Sequence, residues 1–230
     1  MKRILHLFIY ITLASLPVHG QTWKAGTIVS EDEVKTRSID KWFVADTLSD
    51  GVMNRIKGKS WAKGCTLSRS NLRYLKLLHR NKDGKTQRGE MICNKAISTD
   101  LVQIFRKLYE ADYVIERMVL IDEYDAVDEQ SMEANNSSCF NFRFVSGTKK
   151  VSKHGKGLAV DINPLYNPCY NTRNGKTEPA SGKRYVKNRT KKTNEMIIDK
   201  QDLCYKLFIA HGFRWGGNWR TKKDYQHFEK

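Results

Sequence analysis

Apolar residues recur at helical spacing in two segments of the chain. The first, STDLVQIFRKLYEADY, predicts an amphipathic helix packed on the core, with Ser98 or Thr99 as its N-cap. The apolar residues of its buried face are Leu101, Val102, Ile104, Phe105 and Leu108. The second, DKQDLCYKLFIAHGFRWGG, predicts a helix that ends near His211 and Gly212, because glycine commonly follows a helix C-terminus.

Other segments carry strand patterns. FNFRFVSG alternates strictly, which places Phe140, Phe142 and Phe144 on one face of a strand and Asn141 and Arg143 on the other. VIERMVLIDEY predicts a strand with an acidic end. NLRYLKLLHR is compatible with a helix or a strand, and the NKDGK that follows it predicts a turn.

The first 20 residues have the organisation of a secretory signal peptide. Lys2 and Arg3 precede an apolar run over residues 4–16, and Gly20 comes before the expected cleavage point. The alternative is an uncleaved membrane anchor, although the run is shorter than the roughly 20 apolar residues that a span needs. We therefore expect an exported protein, periplasmic or secreted.

The sequence is strongly basic. Its 230 residues carry a formal net charge of +16, and loss of Lys2 and Arg3 with the signal peptide, which has no acidic residue, lowers this to +14. A large positive charge favours a polyanionic partner. Outside the cytoplasm the candidates are cell-wall polymers, anionic glycans and lipid head groups. A nucleic-acid partner rests on charge alone, and we expect none.

Five cysteines follow the signal peptide. They are Cys65, Cys93, Cys139, Cys169 and Cys204. None belongs to a C-x-x-C pair, so the sequence does not support a thiolate zinc site. An exported chain permits disulfides, but the odd number leaves at least one thiol free or paired between chains, and the connectivity stays open.

Two stretches are mostly polar. Residues 21–50 are predicted to be an N-terminal extension. Residues 170–193, rich in Lys and Arg, are predicted to run over the surface. The ordinary explanation of this second stretch is a solvated loop, and the functional alternative is a wall of a substrate groove or a contact with wall polymers.

The stretch SKHGKGLAVDINP combines a histidine, two glycines and an aspartate with a short strand pattern. In an extended LAVDIN segment, Asp161 faces away from Val160 and Ile162. The HGKG segment can turn sharply because glycine accepts positive φ. Such a turn would bring His154 beside Asp161.

A second segment, DYQHFE, places Asp224 and His227 three residues apart. A helical or 3₁₀ turn would put both on one face, so we predict a turn that leads into HFE. His154, Asp161 and His227 make a workable Zn²⁺ set, since a catalytic zinc site keeps three His or carboxylate ligands and a water. Asp224, outside the ligand set, is suited to proton transfer.

Each of these residues also has an ordinary explanation. A histidine beside glycines is commonly a surface turn residue, and an aspartate in a strand is commonly a cap or an ion-pair partner. Arg143 also has two alternative explanations. It either pairs with a surface carboxylate or aims its paired donors at the carboxylate or developing oxyanion of a substrate.

Taken together, two separated motifs resemble a known family. SKHGKGLAVD matches S-x-H-x-x-G-x-A-x-D, and WGGNW with DYQHFE matches W-G-G-x-W…D-x-x-H-F. The chain resembles the zinc D-alanyl-D-alanine carboxypeptidase and L-alanyl-D-glutamate peptidase family, which acts on peptidoglycan and shares a fold with the Hedgehog signalling domain. SMEANNSSCFNFR and DINPLYNP extend the resemblance, which covers residues 51–230.

The resemblance implies a role for each candidate residue. His154, Asp161 and His227 occupy the zinc-ligand positions, Asp224 the catalytic carboxylate position, and Arg143 the substrate-orienting position. The implied fold is an α+β domain over residues 51–230, in which an antiparallel sheet flanked by helices holds a single zinc.

Further family positions surround this set. Ser152 is expected to hydrogen-bond near the site, and Trp215, Gly216, Gly217 and Trp219 are expected to shape the pocket. For Trp215, burial in the core is an equally good explanation. Cys139 and Cys169 depart from the family pattern and are candidates for a disulfide beside the site.

The implied function is zinc-dependent hydrolysis of a peptide bond in the peptidoglycan stem. Separately from the resemblance, we expect a monomer. The bond type stays open between a D-Ala-D-Ala carboxypeptidase and an L-Ala-D-Glu endopeptidase. The expected partners are stem peptides, and anionic cell-wall polymers are candidates too. The main alternative is a non-catalytic, zinc-stabilised cell-wall-binding module.

Overall fold

Three small antiparallel sheets and five helices make up the regular structure of the part of the chain described here. The computed structural model describes residues 23–187, 189–191 and 194–230. The helices are α1 Glu31–Lys35, α2 Asp50–Ile56, α3 Lys95–Glu110, α4 Asp128–Glu133 and α5 Leu203–Ala210. The strands are β1 Val44–Asp46, β2 Leu72–Arg80, β3 Thr86–Asn94, β4 Ala159–Asp161, β5 Cys169–Asn171, β6 Thr177–Glu178, β7 Arg214–Trp215, β8 Lys222–Asp224 and β9 His227–Glu229.

The first sheet, in the order β1-β2-β3, carries the long helix α3. NLRYLKLLHR, compatible with either element, is strand β2, and the predicted turn connects it to β3. The predicted amphipathic helix is confirmed, and its apolar face is buried. The predicted N-cap was wrong: β3 runs directly into α3, and the side chain of Asn94 accepts the Ala96 N–H.

The other two sheets, β4-β9-β7 and β6-β5-β8, carry the candidate chemistry. Asp161 on β4 lies opposite His227 on β9, and Cys169 on β5 lies opposite Asp224 on β8. The alternation predicted around Asp161 is present, because Val160 and Ile162 belong to the hydrophobic core whereas Asp161 contacts His154 and His227. The predicted single sheet is thus three sheets, whereas the α+β class with antiparallel pairing is confirmed.

Two predicted strands are wrong. FNFRFVSG forms no regular strand, and the exposed fraction of its phenylalanines rises from 3% at Phe140 to 53% at Phe144, so the segment does not present one buried face. VIERMVLIDEY makes isolated bridges at Val114 and Arg117 and ends in the 3₁₀ turn Ile121–Tyr124. For FNFRFVSG, alternation alone gave a wrong prediction because the segment leaves the core instead of joining a sheet edge.

Both polar stretches contribute to the folded domain. In the described part of residues 21–50, Trp42 and Phe43 are buried in the main core, and β1 pairs with β2. Residues 170–193 contain β6 and the 3₁₀ segment Ala180–Tyr185, apart from positions 188, 192 and 193, which lie outside the described residues.

The predicted signal peptide, residues 1–20, lies outside the described residues. No helix within 23–187, 189–191 or 194–230 has the length and apolar character that a membrane crossing requires. The disulfide considered between Cys139 and Cys169 is not formed, and all five cysteines are free thiols.

Candidate metal centre

His154, Asp161 and His227 come together from one turn and two paired strands. His154 begins the 3₁₀ turn His154–Lys156, Asp161 ends β4, and His227 begins β9. Because strand side chains alternate, the neighbours of these residues anchor them. Phe228, next to His227, stacks on Phe208 in the core with ring centroids 4.3 Å apart.

The three side chains are spaced as zinc ligands would be. His154 Nε2 lies 3.2 Å from Asp161 Oδ2, and His227 Nδ1 lies 3.1 Å from Asp161 Oδ1. The two imidazole nitrogens, His154 Nε2 and His227 Nδ1, are 3.1 Å apart. Ligand atoms of a tetrahedral zinc with Zn–N bonds of about 2.0–2.1 Å are roughly 3.3 Å apart. The donor set and its spacing therefore fit Zn²⁺ with little movement.

Outer hydrogen bonds orient both imidazoles. His154 Nδ1 lies 2.7 Å from the Cys139 carbonyl, and His227 Nε2 lies 3.4 Å from Glu229 Oε2. Since each of these nitrogens donates to an oxygen, the other nitrogen of each ring faces Asp161 and is the one available to a metal ion. This carboxylate– or carbonyl–histidine–metal pattern is common around zinc.

The cluster favours positive charge. Burial opposes the charged form of His227, but its hydrogen bonds to Asp161 and Glu229 outweigh burial and raise its pKa to about 10. Burial also opposes ionisation of Asp161, yet His154 and His227 hold the pKa of this carboxyl well below its usual range. The proton that His227 shares with the Asp161 carboxylate lies where a metal ion would bind, so a cation would take the place of that proton.

A tightly packed turn holds His154. The Gly155 N–H donates to Ser152 Oγ at 2.9 Å, as expected for a serine that hydrogen-bonds near the site. Gly157 has a φ of +65°, and its carbonyl accepts the Asn94 N–H at 2.8 Å. The turn is thereby docked on the junction of β3 and α3.

Asp224 lies at the same cleft but not on a helical turn. It ends β8, and a bend at Tyr225 and Gln226 separates it from His227 on β9. The predicted turn exists as a bend between two strands, so the predicted helical geometry was wrong. A Cβ on Gly216 would lie 2.7 Å from the Asp224 carbonyl oxygen, so this close approach requires glycine.

The Asp224 carboxylate is suited to carry a proton. Its Oδ1 is buried and has no hydrogen-bond partner in the structure. Burial raises the pKa of Asp224 above its usual value, although the charge of His227 partly offsets this. A carboxyl group with a raised pKa binds a proton more readily than an ordinary aspartate and can later release it.

Arg143 forms a surface ion pair and also lines the cleft. Its Nη2 pairs with Asp128 Oδ2 at 2.9 Å, as the ordinary explanation requires. It also lines the cleft, and its Nη1 is buried without a hydrogen-bond partner. Asp128 therefore holds the guanidinium while Nη1 stays available as a donor.

All of these groups line one cleft of about 620 Å³. Its metal-centre residues are His154, Asp161, Asp224 and His227, and its rim includes Arg143, Lys150, Lys153, Lys156, Glu178, Arg214, Trp219 and Lys222. The Trp219 ring lies 5.2 Å from that of His227. Trp215 is instead buried among aromatic side chains of the core.

Sequence patterns did not identify several residues of the cleft. Glu229 carries a usable signal, since it shares a strand face with His227 two residues earlier. Gln226 has no such signal, because its burial depends on the bend after β8. Asp128 and Glu178 come from distant segments, and only the fold brings them to the cleft.

The C-terminal part of the chain matches a known family. Residues 146–230 match a family model described as D-alanyl-D-alanine carboxypeptidase. No curated protein and no solved structure matches the chain. The matched region holds His154, Asp161, Asp224 and His227, and Arg143 precedes it by three residues. The match confirms, over residues 146–230, the resemblance to the zinc D-alanyl-D-alanine carboxypeptidase family.

Proposed function

We propose that this protein is a zinc-dependent peptidase that hydrolyses a peptide bond in the peptidoglycan stem. The observation that carries the proposal is the convergence, at one cleft, of a three-ligand metal set with a buried carboxylate that is not a ligand. The family match over the same residues supports a peptidase that acts on peptidoglycan.

His154, Asp161 and His227 are the proposed ligands. A bound Zn²⁺ would supply Lewis-acid chemistry, polarising a carbonyl and lowering the pKa of a water to about 7. Cys139 and Glu229 hold the two imidazoles, so that the ligand nitrogens need not reorient when the ion binds.

Asp224 is the proposed general base and acid. It takes a proton from the attacking water as the carbon–oxygen bond forms, and it gives that proton to the departing amine as the carbon–nitrogen bond breaks. Arg143 Nη1, held in place by Asp128, is directed at the developing oxyanion or at a substrate carboxylate.

The substrate is proposed at the level of the stem peptide. Lysine and arginine side chains on the rim suit the carboxylates of a stem peptide and, beyond it, anionic wall polymers. A D-Ala-D-Ala bond and an L-Ala-D-Glu bond are both compatible with the cleft. We propose export to the periplasm or the medium, a monomer, and no nucleic-acid partner.

Digestion of defined stem peptides tests the proposal. We expect the purified, zinc-loaded protein to release a product detectable by mass spectrometry, a chelator to abolish that product, and added Zn²⁺ to restore it. Binding of insoluble peptidoglycan without any chelator-sensitive product would instead indicate a zinc-stabilised wall-binding module and refute the peptidase.

Replacing the carboxylate separates catalysis from metal binding. Asp224→Ala should keep stoichiometric zinc, because Asp224 is not a ligand, and should lose at least about 100-fold in kcat, since general acid–base catalysis contributes about 10²–10⁴-fold. His154→Ala, the comparison variant, should lose zinc and activity together. Near-normal turnover by Asp224→Ala would remove the assigned role.

A further inference from the structure

Gln226 is a buried amide placed between the proposed base and a proposed zinc ligand. It lies in the bend between Asp224 and His227, is 3% exposed, and lines the cleft. Its side-chain Oε1 is buried and has no hydrogen-bond partner in the structure. An unpaired amide oxygen inside a protein is costly, so its retention calls for a partner that arrives with a ligand.

The surroundings of Gln226 hold the residue but do not satisfy its amide. Its main-chain carbonyl accepts the Ile162 N–H at 3.1 Å, which ties the bend to the end of β4. Its Nε2 lies 3.5 Å from Met132 Sδ, and a thioether is only a weak acceptor. An apolar side chain of similar length would pack against Met132 equally well, so packing does not explain the amide.

The other unpaired atoms of the cleft suggest what the partner is. Arg143 Nη1 offers a donor and Asp224 Oδ1 offers a site for a proton, so both are suited to groups that change during hydrolysis. Gln226 Oε1 is a neutral acceptor. The matching donor that every stem peptide carries is a backbone N–H, whereas a charged amine would be better matched by Asp128 or Glu129 on the same cleft.

We propose that Gln226 is a substrate-binding residue whose Oε1 accepts a backbone N–H of the stem peptide next to the scissile bond. This inference rests on the proposed function. The hydrogen bond fixes the register of the peptide, so that one carbonyl is presented between the metal centre and Asp224. Gln226 is thus a determinant of which bond is cut, separate from the residues that cut it.

Kinetics of Gln226→Met test the inference. Methionine keeps the length of the side chain and removes the acceptor. With the synthetic pentapeptide L-Ala-D-Glu-L-Lys-D-Ala-D-Ala, we expect kcat/KM to fall about 10–100-fold, as for a buried polar group left unpaired. Zinc content should be unchanged, and the melting temperature of the free protein should stay the same or rise, because the variant no longer buries an unpaired oxygen. Gln201→Met, at an exposed glutamine that does not line the cleft, is the matched control and should behave as wild type.

Ester analogues identify the hydrogen bond itself. Each analogue replaces one backbone N–H beside the scissile bond by oxygen. At one position the wild-type enzyme should cleave the ester more slowly than the parent peptide. Gln226→Met, which lacks the acceptor, should cleave that ester and the parent peptide at the same rate. The inference would be overturned if Gln226→Met lowered kcat/KM by the same factor for every analogue. It would also be overturned if the variant cleaved the parent peptide normally, or if it lost zinc.

Binding without turnover separates this inference from the proposed function. The affinity of zinc-loaded Asp224→Ala for the pentapeptide, measured by calorimetry, should fall about 10-fold or more when Gln226→Met is added. If the wild type cleaves the peptide and Gln226→Met binds and cleaves it equally well, the inference is refuted and the peptidase stands. Binding that depends on Gln226 without any cleavage refutes the peptidase alone, and neither binding nor cleavage refutes both.

Discussion

At the scale of single residues, the candidate metal centre depends on groups outside the set of His154, Asp161 and His227. Asp161 faces both histidines, and the remaining nitrogen of each ring is directed to an oxygen of Cys139 or Glu229. Because these outer contacts fix which nitrogen carries the hydrogen, they set the acceptors that a cation would find.

Removing one outer contact should weaken zinc binding. Glu229→Gln retains the size of the side chain but loses the charge that holds the His227 imidazole, so we expect the zinc dissociation constant to rise about 10–100-fold. A competition titration with a chromophoric chelator measures it. Arg214→Gln, which removes the 2.6 Å ion pair on the other side of Glu229, is the control and should change the affinity far less. Equal losses in both variants would contradict the outer-contact role.

At this scale a local pattern was sufficient to single out candidate residues. His154 and Asp161 share a short motif, and glycines permit the turn between them. Gln226 and Asp128 could not be found in this way, because their importance comes from burial and from neighbours on other segments.

At the scale of elements, the His154–Lys156 turn is docked on the end of β3. Gly157, which closes the turn, has a left-handed φ of +65°, and an added Cβ would lie 2.7 Å from Asn94 N. The same backbone amide donates to the Gly157 carbonyl, so the turn cannot move away without breaking that bond. The site therefore depends on a contact with the first sheet.

Alanine substitutions should separate backbone strain from this contact. Gly84→Ala, at a φ of +71° with open space around it, should cost only the left-handed conformation, about 1–2 kcal/mol of unfolding free energy. Gly157→Ala should cost more and should also reduce zinc affinity, because its Cβ displaces the turn. Urea unfolding and zinc titration of both variants check this. Equal costs, with zinc binding intact in both, would show that the docking contact is unimportant.

The element boundaries show where sequence patterns stop being informative. The α3 periodicity was sufficient to predict a helix, but not that β3 would run into it without a loop. FNFRFVSG alternated as a strand does, yet within the described residues it pairs only through the isolated bridge between Phe144 and Val151, and it leads out to an exposed rim. Periodicity describes which side chains can share a face, whereas pairing requires a neighbour from elsewhere in the chain.

At the scale of the whole molecule, the first sheet contains a buried group that senses pH. His79 on β2 lies with Nδ1 2.6 Å from the Ile115 carbonyl, and burial lowers its pKa to about 4. In the unfolded chain a histidine titrates near 6.5, so below that pH the unfolded state binds a proton that the folded state refuses.

Acid should therefore destabilise the fold through His79. The stabilisation is fully present above about pH 6.5, and we expect roughly 3 kcal/mol of unfolding free energy to be lost as the pH falls from 7 to 4. His79→Asn keeps a donor for the Ile115 carbonyl but has no group that titrates in this range. Its unfolding free energy should therefore fall by roughly 3 kcal/mol less than that of the wild type between pH 7 and pH 4. Denaturant unfolding at several pH values measures it, and parallel curves for wild type and variant would refute the assignment.

Sequence alone determined the types of the candidate ligands, their order along the chain and the α3 and α5 helices, because these depend on neighbouring residues and short-range periodicity. Tertiary structure decided what surrounds them: the pairing of β4 with β9, the bend that buries Gln226, and the arrival of Asp128 and Glu178 at the cleft. These features require segments far apart in the chain to pack together, and packing depends on the shape of the whole core rather than on any local pattern.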